Sequence, residues 1–204
     1  MSTRILLIRH GLIRANRLGR WHGATDSRLT RTGQRQAQRL ALALQSEAPE
    51  GAILDAIYTS PMRRCCQTAS PLAPLSARAP VALDALREFS IGELEGTPFQ
   101  VLARDHDFFN RIGADPDFAP PGGESLNQVA RRMVAALQDI ATHHRDDAQI
   151  AIVSHGAAMA IALAALLDED AGRWPEYRLS NCSITELLLE PGPAVAAFNR
   201  TGHL

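Results

Sequence analysis

Apolar residues occur along this chain in two spacings, which together predict strands that alternate with helices. Short continuous apolar runs over residues 4–8 and 149–154 are typical of strands buried on both faces. Helical spacing predicts two long helices, one beginning near Thr30 and one after Ser125. Further strands are predicted over 53–59 and 81–83, with a β-hairpin of 184–189 and 194–198. The alternation indicates an α/β fold, a three-layer sandwich with a mainly parallel central sheet and helices on both faces.

The helices are predicted together with their ends and their buried faces. The first has Thr30 as its cap and ends over residues 47–51. Another begins at Pro61, with Ser60 as its N-cap. The inward-facing residues are predicted to be Ala37, Leu40, Ala41 and Leu44 in the first helix, Met62, Cys65, Cys66 and Ala69 in the second, and Leu126, Val129, Ala130, Met133, Leu137 and Ile140 in the third.

Residues 97–123 are the least regular part of the chain. They are rich in Asp, Pro and Phe, and the apolar anchors are Phe99, Phe108, Phe109 and Phe118. This composition predicts a small inserted cap of short helices and loop that covers a pocket. We expect one domain over residues 1–204 that includes this cap. A homodimer interface through the same phenylalanines is the alternative use of this surface.

Composition narrows the classes of function. The chain has 204 residues, 46% of them hydrophobic, and a formal net charge of -1, so no basic excess points to nucleic acid as a partner. All 21 basic residues are arginine, and the absence of lysine excludes both a Schiff-base lysine and a P-loop lysine. A small molecule is the expected partner.

The cysteines and the apolar runs indicate the cellular compartment in which the protein is expected. Three cysteines without a CxxC pair form no disulfide framework, and no secretion signal is evident, which favours a reducing cytoplasm. The longest apolar run, residues 157–167, is shorter than the roughly 20 residues that a membrane span needs, so it predicts a buried helix and no membrane partner.

Two histidines follow predicted strands directly and introduce the candidate chemistry. His10 comes after the first strand and His155 after the strand 149–154, and each is followed by glycine. Ligands of open α/β sheets bind at the carboxyl ends of the strands, so we expect both histidines at one such edge. Arg9 and Arg64 lie at similar positions, and guanidinium groups beside imidazoles suit a phosphate. An imidazole there can act as a nucleophile on phosphorus.

A metal site is the alternative for a pair of histidines, and the sequence gives it little support. Neighbouring residues on a helix point about 100° apart, so His143 and His144 are not placed to share one ion. With the charged residues that follow them they predict a solvated helix end. We expect no metal or other cofactor.

Five ordered motifs resemble the histidine phosphatase superfamily, also called phosphoglycerate mutase-like, over nearly the whole chain. They are Arg9-His10-Gly11 with Asn16; Gly23, Asp26, Leu29-Thr30, Gly33 and Gln36-Ala37; Ser60-Pro61-Met62-Arg63-Arg64 with Thr68-Ala69; Leu86-Arg87-Glu88 with Gly92 and Glu95-Gly96; and Pro121-Gly122-Gly123-Glu124-Ser125 with Val153-Ser154-His155-Gly156. One tripeptide alone carries little weight, whereas five motifs in order are specific.

The resemblance implies roles for the motif residues. His10 attacks the phosphoryl group and becomes phosphohistidine, while Glu88 protonates the leaving oxygen and then activates water. Arg9, Arg64 and His155 hold the phosphoryl oxygens, with Arg63 as the alternative to Arg64. Asn16 and Gly23 complete the predicted phosphate contacts. A positively charged His155 beside the two arginines would form a preorganised pocket for phosphate.

The resemblance also implies an activity, with one departure from the family's pattern. Most members continue after Arg-His-Gly with Glu-Thr, whereas this chain has Leu12-Ile13, which suggests an apolar pocket edge and a hydrophobic leaving group. The stretch from Glu88 to His155 is shorter than in the mutase branch, which favours a metal-independent phosphomonoesterase acting on a small phosphorylated metabolite. The alternatives are a cofactor-dependent phosphoglycerate mutase and a non-catalytic module that binds a phosphorylated ligand.

Overall fold

The sheet of the computed structural model has six strands in the spatial order β3-β2-β4-β1-β5-β6. The structure describes residues 3–47 and 54–204. The strands are β1 Arg4–Arg9, β2 Ala56–Thr59, β3 Val81–Ala82, β4 Gln149–Ser154, β5 Ile184–Leu188 and β6 Ala194–Arg200. The strands β3, β2, β4 and β1 run parallel, whereas β5 and β6 form the predicted antiparallel hairpin at one edge. The predicted α/β class with a mainly parallel sheet is confirmed.

The central strand β1 is buried on both faces, as its continuous apolar run predicts. Ile5 and Leu7 pack into one core, and Leu6 and Ile8 pack into the core on the opposite face. Successive side chains of a strand point to opposite faces, so a strand between two helical layers must be apolar at every position.

The helices cover both faces of the sheet. Their bounds are α1 Arg14–Arg17, α2 Arg31–Glu47, α3 Arg63–Ala69, α4 Phe99–Arg104, α5 Phe108–Ala114, α6 Leu126–Thr142 and α7 Gly156–Leu167. The buried residues of α6 are the six that the sequence predicts. The hydroxyl of Thr30 accepts a hydrogen bond from the N–H of Gly33, so Thr30 caps α2 as expected. The predicted stop of that helix over 47–51 lies, after Glu47, outside the described residues.

The helix α3 departs from the sequence prediction in two ways. It begins at Arg63, two residues after Pro61, because the chain through Met62 is still extended. Its face is also rotated from the expected one: Arg64 and Cys65 are buried, whereas Cys66 is exposed. Cys66 therefore does not belong to the inward-facing set predicted from apolar character alone. The helix continues as a 3-10 turn over Ser70–Leu75.

Residues 97–123 contain α4 and α5, which pack around Trp21. Trp21 makes ring contacts with Phe99, Phe108 and Phe109 at centroid distances of 5.8, 5.9 and 6.5 Å. Phe108 is fully buried, while 41% of Phe99 is exposed. The segment is therefore anchored at its centre and open to solvent at its edge. Whether it acts as a cap over the substrate stays a prediction.

Candidate active site

The parallel pairing of β1 with β4 places the two predicted histidines side by side. Arg9 pairs with Ser154, so His10 and His155 follow the strands at the same level. Their rings meet edge to face with centroids 5.3 Å apart. Both rings are almost fully buried.

Hydrogen bonding sets the tautomer of His10. Its Nδ1 lies 2.8 Å from the carbonyl oxygen of Gly11, which can only accept, so Nδ1 carries the proton. The carbonyl oxygen of Gly11 thus fixes which ring nitrogen of His10 carries the proton. Burial lowers the pKa of His10 well below its usual value, and the charges of Arg9 and Arg64 lower it further. His10 is therefore neutral, with an unprotonated Nε2 available for attack.

Arg64, not Arg63, is the arginine at the centre of the site. Arg64 is fully buried, whereas the side chain of Arg63 is 65% exposed and lies 3.6 Å from Asp26. The Arg64 guanidinium donates to the carbonyl oxygens of residues 22, 23 and 25 and to Nδ1 of His155. A guanidinium has five N–H groups, so these four bonds leave one Nη1 N–H for a phosphoryl oxygen.

His155 differs from the charged residue that the sequence suggests. The Nε of Arg64 donates to its Nδ1 at 3.1 Å, so its proton lies on Nε2, 2.8 Å from the hydroxyl of Ser60. Burial lowers the pKa of His155 well below its usual value, and the positive charge of Arg64 acts in the same direction. The expectation of a positively charged His155 is therefore wrong for the folded chain. A direct contact of His155 with phosphate stays a prediction.

Arg9 passes over the first turn of α7. Its Nη1 donates to the carbonyl oxygen of Leu179, while its Nε is buried without a partner in the described structure. Gly156 makes this path possible because a Cβ there would lie 3.0 Å from the Nε of Arg9. An unpartnered buried guanidinium nitrogen beside His10 is suited to an anionic ligand.

Glu88 lies at the N-terminus of α7. Its carboxylate accepts hydrogen bonds from the backbone N–H groups of Phe89, Ala157 and Ala158 at 2.7–3.2 Å. Helix N–H groups and the helix dipole stabilise a negative charge there. The carboxylate also acts electrostatically on Arg9 and Arg64, which places it in the same site as the two predicted phosphate ligands.

A second carboxylate supports the loop that carries Glu88. Glu124 forms a salt bridge with Arg132 of α6 and accepts the N–H of Ser90. The Arg132 guanidinium also donates to the carbonyl oxygens of residues 85, 87 and 88. Glu124 therefore holds this loop in place. In the sequence, Glu124 is recognised only as part of the fifth motif, and Arg132 lies outside the motifs.

Gly23 serves the site through its backbone. Its carbonyl oxygen accepts from Arg64 at 2.8 Å, and its N–H donates to the Glu95 carboxylate at 2.9 Å. A Cβ at this position would lie 2.1 Å from the carbonyl oxygen of Phe89, so only glycine fits. Its N–H already has a partner in this structure, and its predicted contact with phosphate stays a prediction.

Leu12 and Ile13, which follow Arg9-His10-Gly11, differ in burial. Ile13 is buried in the core and its backbone pairs with Leu29, so it does not line the pocket edge as the sequence suggests. Leu12 is half-buried, and its backbone is held by Gln36 and Thr30. A hydrophobic leaving group could therefore contact only Leu12 of these two residues, and it stays a prediction. The side-chain oxygen of Asn16 accepts from the N–H of Ile13.

His143 and His144 make their hydrogen bonds to residues outside the site formed by His10 and His155. His143 bonds to the carbonyl oxygen of Asp139, and His144 bonds to the hydroxyl of Tyr58 at 3.0 Å. Over residues 3–47 and 54–204, three or more His, Cys, Asp or Glu side chains do not group in a way that could hold a metal ion. No helix in the same ranges is long and apolar enough to cross a membrane.

Three supporting residues, Thr68, Glu95 and Asn181, have no predicted role. Ser60 is predicted only as an N-cap, a position that Met62 holds in α3. Ser60 and Thr68 lie inside the second arginine motif, and Glu95 lies inside the acid motif, so the motifs themselves were the available signal. The hydroxyl of Thr68 accepts the N–H of Gly11 and donates to the carbonyl oxygen of Arg64. Asn181 had no such signal, because it contacts the site from 171 positions along the chain.

The family model of the histidine phosphatase superfamily (branch 1) matches residues 5–200. This chain belongs to that superfamily. It is 34% identical over 198 residues to a probable phosphoglycerate mutase GpmB of Proteus mirabilis, a match that covers 94% of this chain and 87% of the relative.

Solved structures agree with the family assignment. A phosphoserine phosphatase from Entamoeba histolytica, solved with 3-phosphoglyceric acid, superposes with a TM-score of 0.86, 28% identity and full coverage of both chains. A mycobacterial glucosyl-3-phosphoglycerate phosphatase solved with VO3 gives a TM-score of 0.82 at 26% identity, over 97% of this chain and 99% of the other. The predictions of the family, of the fold and of an enzyme of the phosphoric monoester hydrolase type are confirmed at this level.

Proposed function

We propose that this protein is a metal-independent phosphomonoesterase that acts through a phosphohistidine intermediate on a small phosphorylated metabolite. The observation that carries the proposal is the state of His10. Its proton is held on Nδ1 by the carbonyl oxygen of Gly11, and burial beside two arginines keeps the ring neutral. A neutral imidazole whose free nitrogen lies in an arginine-rich site is equipped to attack phosphorus.

The reaction then proceeds in two displacements. The Nε2 lone pair of His10 bonds to phosphorus as the ester P–O bond breaks. The negative charge of the bound phosphate favours protonation of Glu88, which gives that proton to the leaving oxygen. A water molecule then gives its proton to the Glu88 carboxylate and attacks phosphorus, and the P–N electron pair returns to His10. Arg9 and Arg64 stabilise the charge on the phosphoryl oxygens in both steps.

The proposed substrate class rests on the solved neighbours. The ligands and activities of these solved neighbours concern phosphoserine, 3-phosphoglyceric acid and glucosyl-3-phosphoglycerate, which are all esters of small hydroxy acids. We infer a substrate of similar size for this chain. The probable mutase among the relatives keeps phosphoglycerate mutase as the second candidate. The short stretch between Glu88 and His155 favours transfer to water.

Hydrolysis of an aryl phosphate without added metal and with a chelator tests the proposal. We expect steady turnover by the wild-type chain and a loss of roughly a thousandfold or more for His10→Ala, because the nucleophile is removed. His143→Ala, which changes an exposed histidine at the end of α6, is the matched control. Equal turnover by His10→Ala would refute the nucleophile, and loss of activity with chelator would refute metal independence. Isomerisation of 3-phosphoglycerate faster than phosphate release would favour the mutase.

A further inference from the structure

A short segment at residues 179–182 lies beside the end of β1 and contacts Arg9 and His10 of the nucleophile motif. The carbonyl oxygen of Leu179 accepts from Nη1 of Arg9, and the N–H of Cys182 donates to the carbonyl oxygen of Arg9 at 2.9 Å. Between them, the side chain of Asn181 reaches the carbonyl oxygen of His10 at 2.9 Å. The segment therefore holds the backbone of the nucleophile from outside the sheet.

Both N–H groups of the Asn181 amide have partners in the site. One donates to the carbonyl oxygen of His10, and the other donates to the side-chain oxygen of Asn16 at 3.2 Å. A single half-buried amide thus connects the backbone of the nucleophile to the side chain of a predicted phosphate ligand. Each of these bonds requires Asn181 to be a donor.

The same contacts determine which end of the Asn16 amide faces away from the protein. Its Oδ1 accepts two hydrogen bonds, from Asn181 at 3.2 Å and from the N–H of Ile13 at 3.3 Å. A rotated amide would turn its own N–H groups toward these two donors and lose both bonds. Across residues 3–47 and 54–204, the Asn16 Nδ2 has no protein partner and is left as a donor for a ligand.

We propose that Asn181 is a positioning residue that orients the Asn16 amide so that its nitrogen donates to the phosphoryl group. This inference rests on the proposed function in one respect, that Asn16 binds phosphate. Without Asn181, one of the two bonds to Oδ1 is lost and the amide can present its oxygen to the anion. A carbonyl oxygen facing a phosphoryl oxygen is repulsive, so phosphate binding weakens.

The test is the dissociation constant of inorganic phosphate, measured by calorimetry on the full chain, for Asn181→Ala. This neutral change removes both donors without adding a charge to the pocket. A hydrogen bond to a charged group contributes about 1.5–3 kcal/mol, so we expect phosphate to bind roughly ten- to a hundredfold more weakly. The KM for an aryl phosphate should rise by a similar factor. An unchanged dissociation constant would overturn the proposal.

A double-mutant cycle with Asn16→Ala separates positioning from general support of the fold. If Asn181 acts through Asn16, the second substitution should weaken phosphate binding by less than about twofold once Asn16 is already alanine. Additive losses would contradict the proposal. If Asn181→Ala does not fold, Asn181→Ser, which keeps one donor, is used in the same cycle.

Asn199→Gly is the matched control for loosening of the segment. Asn199 accepts the N–H of Ser180 at 2.8 Å and has a positive φ of 50°, which glycine adopts readily. The variant removes a support of the same segment and leaves Asn181 in place. We expect unchanged phosphate affinity, and a loss equal to that of Asn181→Ala would overturn the specific role. Failure of the proposed function appears separately, as equal turnover by His10→Ala, while the phosphate affinity remains measurable.

Discussion

The strand-end site and residues 97–123 hold their shape by different interactions. At the strand ends, Arg64 and His155 are fully buried and are held by directional hydrogen bonds. In residues 97–123, Phe99 and Phe109 pack on one ring of Trp21, and the outer edge is open to solvent. Hydrogen bonds accept one geometry, whereas apolar contacts tolerate changes of shape. The site should therefore be intolerant of substitution, and the segment should be free to vary with substrate.

The largest expected effect comes from Arg64→Met. The change leaves the carbonyl oxygens of residues 22, 23 and 25 without their buried donor, and it removes the partner of His155 Nδ1. We expect the free energy of unfolding to fall by about 3–5 kcal/mol and turnover to be lost. Denaturant unfolding and aryl phosphate hydrolysis measure the two effects.

Arg63→Met is the control for Arg64→Met. Its side chain is 65% exposed and its ion pair with Asp26 is long, so the free energy of unfolding should change by no more than about 1 kcal/mol. Turnover should be unchanged. Similar losses in both variants would show that the fold does not distinguish the two arginines as the structure indicates.

The next prediction compares Phe108, which anchors residues 97–123, with Phe99 at their exposed edge. Phe108 is buried against Trp21 and Phe89, so Phe108→Ala should lower the free energy of unfolding by about 3–5 kcal/mol. Phe99 is 41% exposed, so Phe99→Ala should cost about 1 kcal/mol and leave aryl phosphate turnover intact. Thermal or denaturant unfolding distinguishes them. Equal losses would mean that the segment is as tightly constrained as the site.

The last prediction concerns the pH dependence of stability. The pKa values of His10 and His155 are lowered in the folded chain, so both rings stay neutral while the unfolded chain takes up protons below about pH 6.5. The two neutral rings therefore contribute fully to the free energy of unfolding above that pH, and this contribution is lost as the pH falls. Each buried histidine should reduce the free energy of unfolding by about 1.4 kcal/mol per pH unit in acid.

Denaturant unfolding between pH 7.5 and pH 5 measures this dependence. His10→Asn removes one of the two rings. The free energy of unfolding should therefore change by about 1.4 kcal/mol less per pH unit than it does in the wild-type chain. An unchanged slope would mean that His10 is protonated in the folded chain. That result would also remove the neutral nucleophile from the proposed mechanism.

Local patterns in the sequence were sufficient for most of the fold. The apolar spacing of residues 126–140 predicts the buried face of α6, and the run 149–154 coincides with β4. The apolar criterion was wrong for Cys66, because the close packing of Arg64 against the chain turns α3 so that the guanidinium is inside. A buried charge is recognised only from its partners, and these lie about 40 positions earlier in the chain.

The sequence by itself determined the elements, the family and the residues predicted to carry the chemistry, because spacing and motifs are local properties. The tertiary structure decided their states. It made His155 neutral through Arg64 and Ser60, placed Ile13 in the core, and brought Asn181 to His10. Protonation, burial and donor orientation depend on groups that only folding brings together.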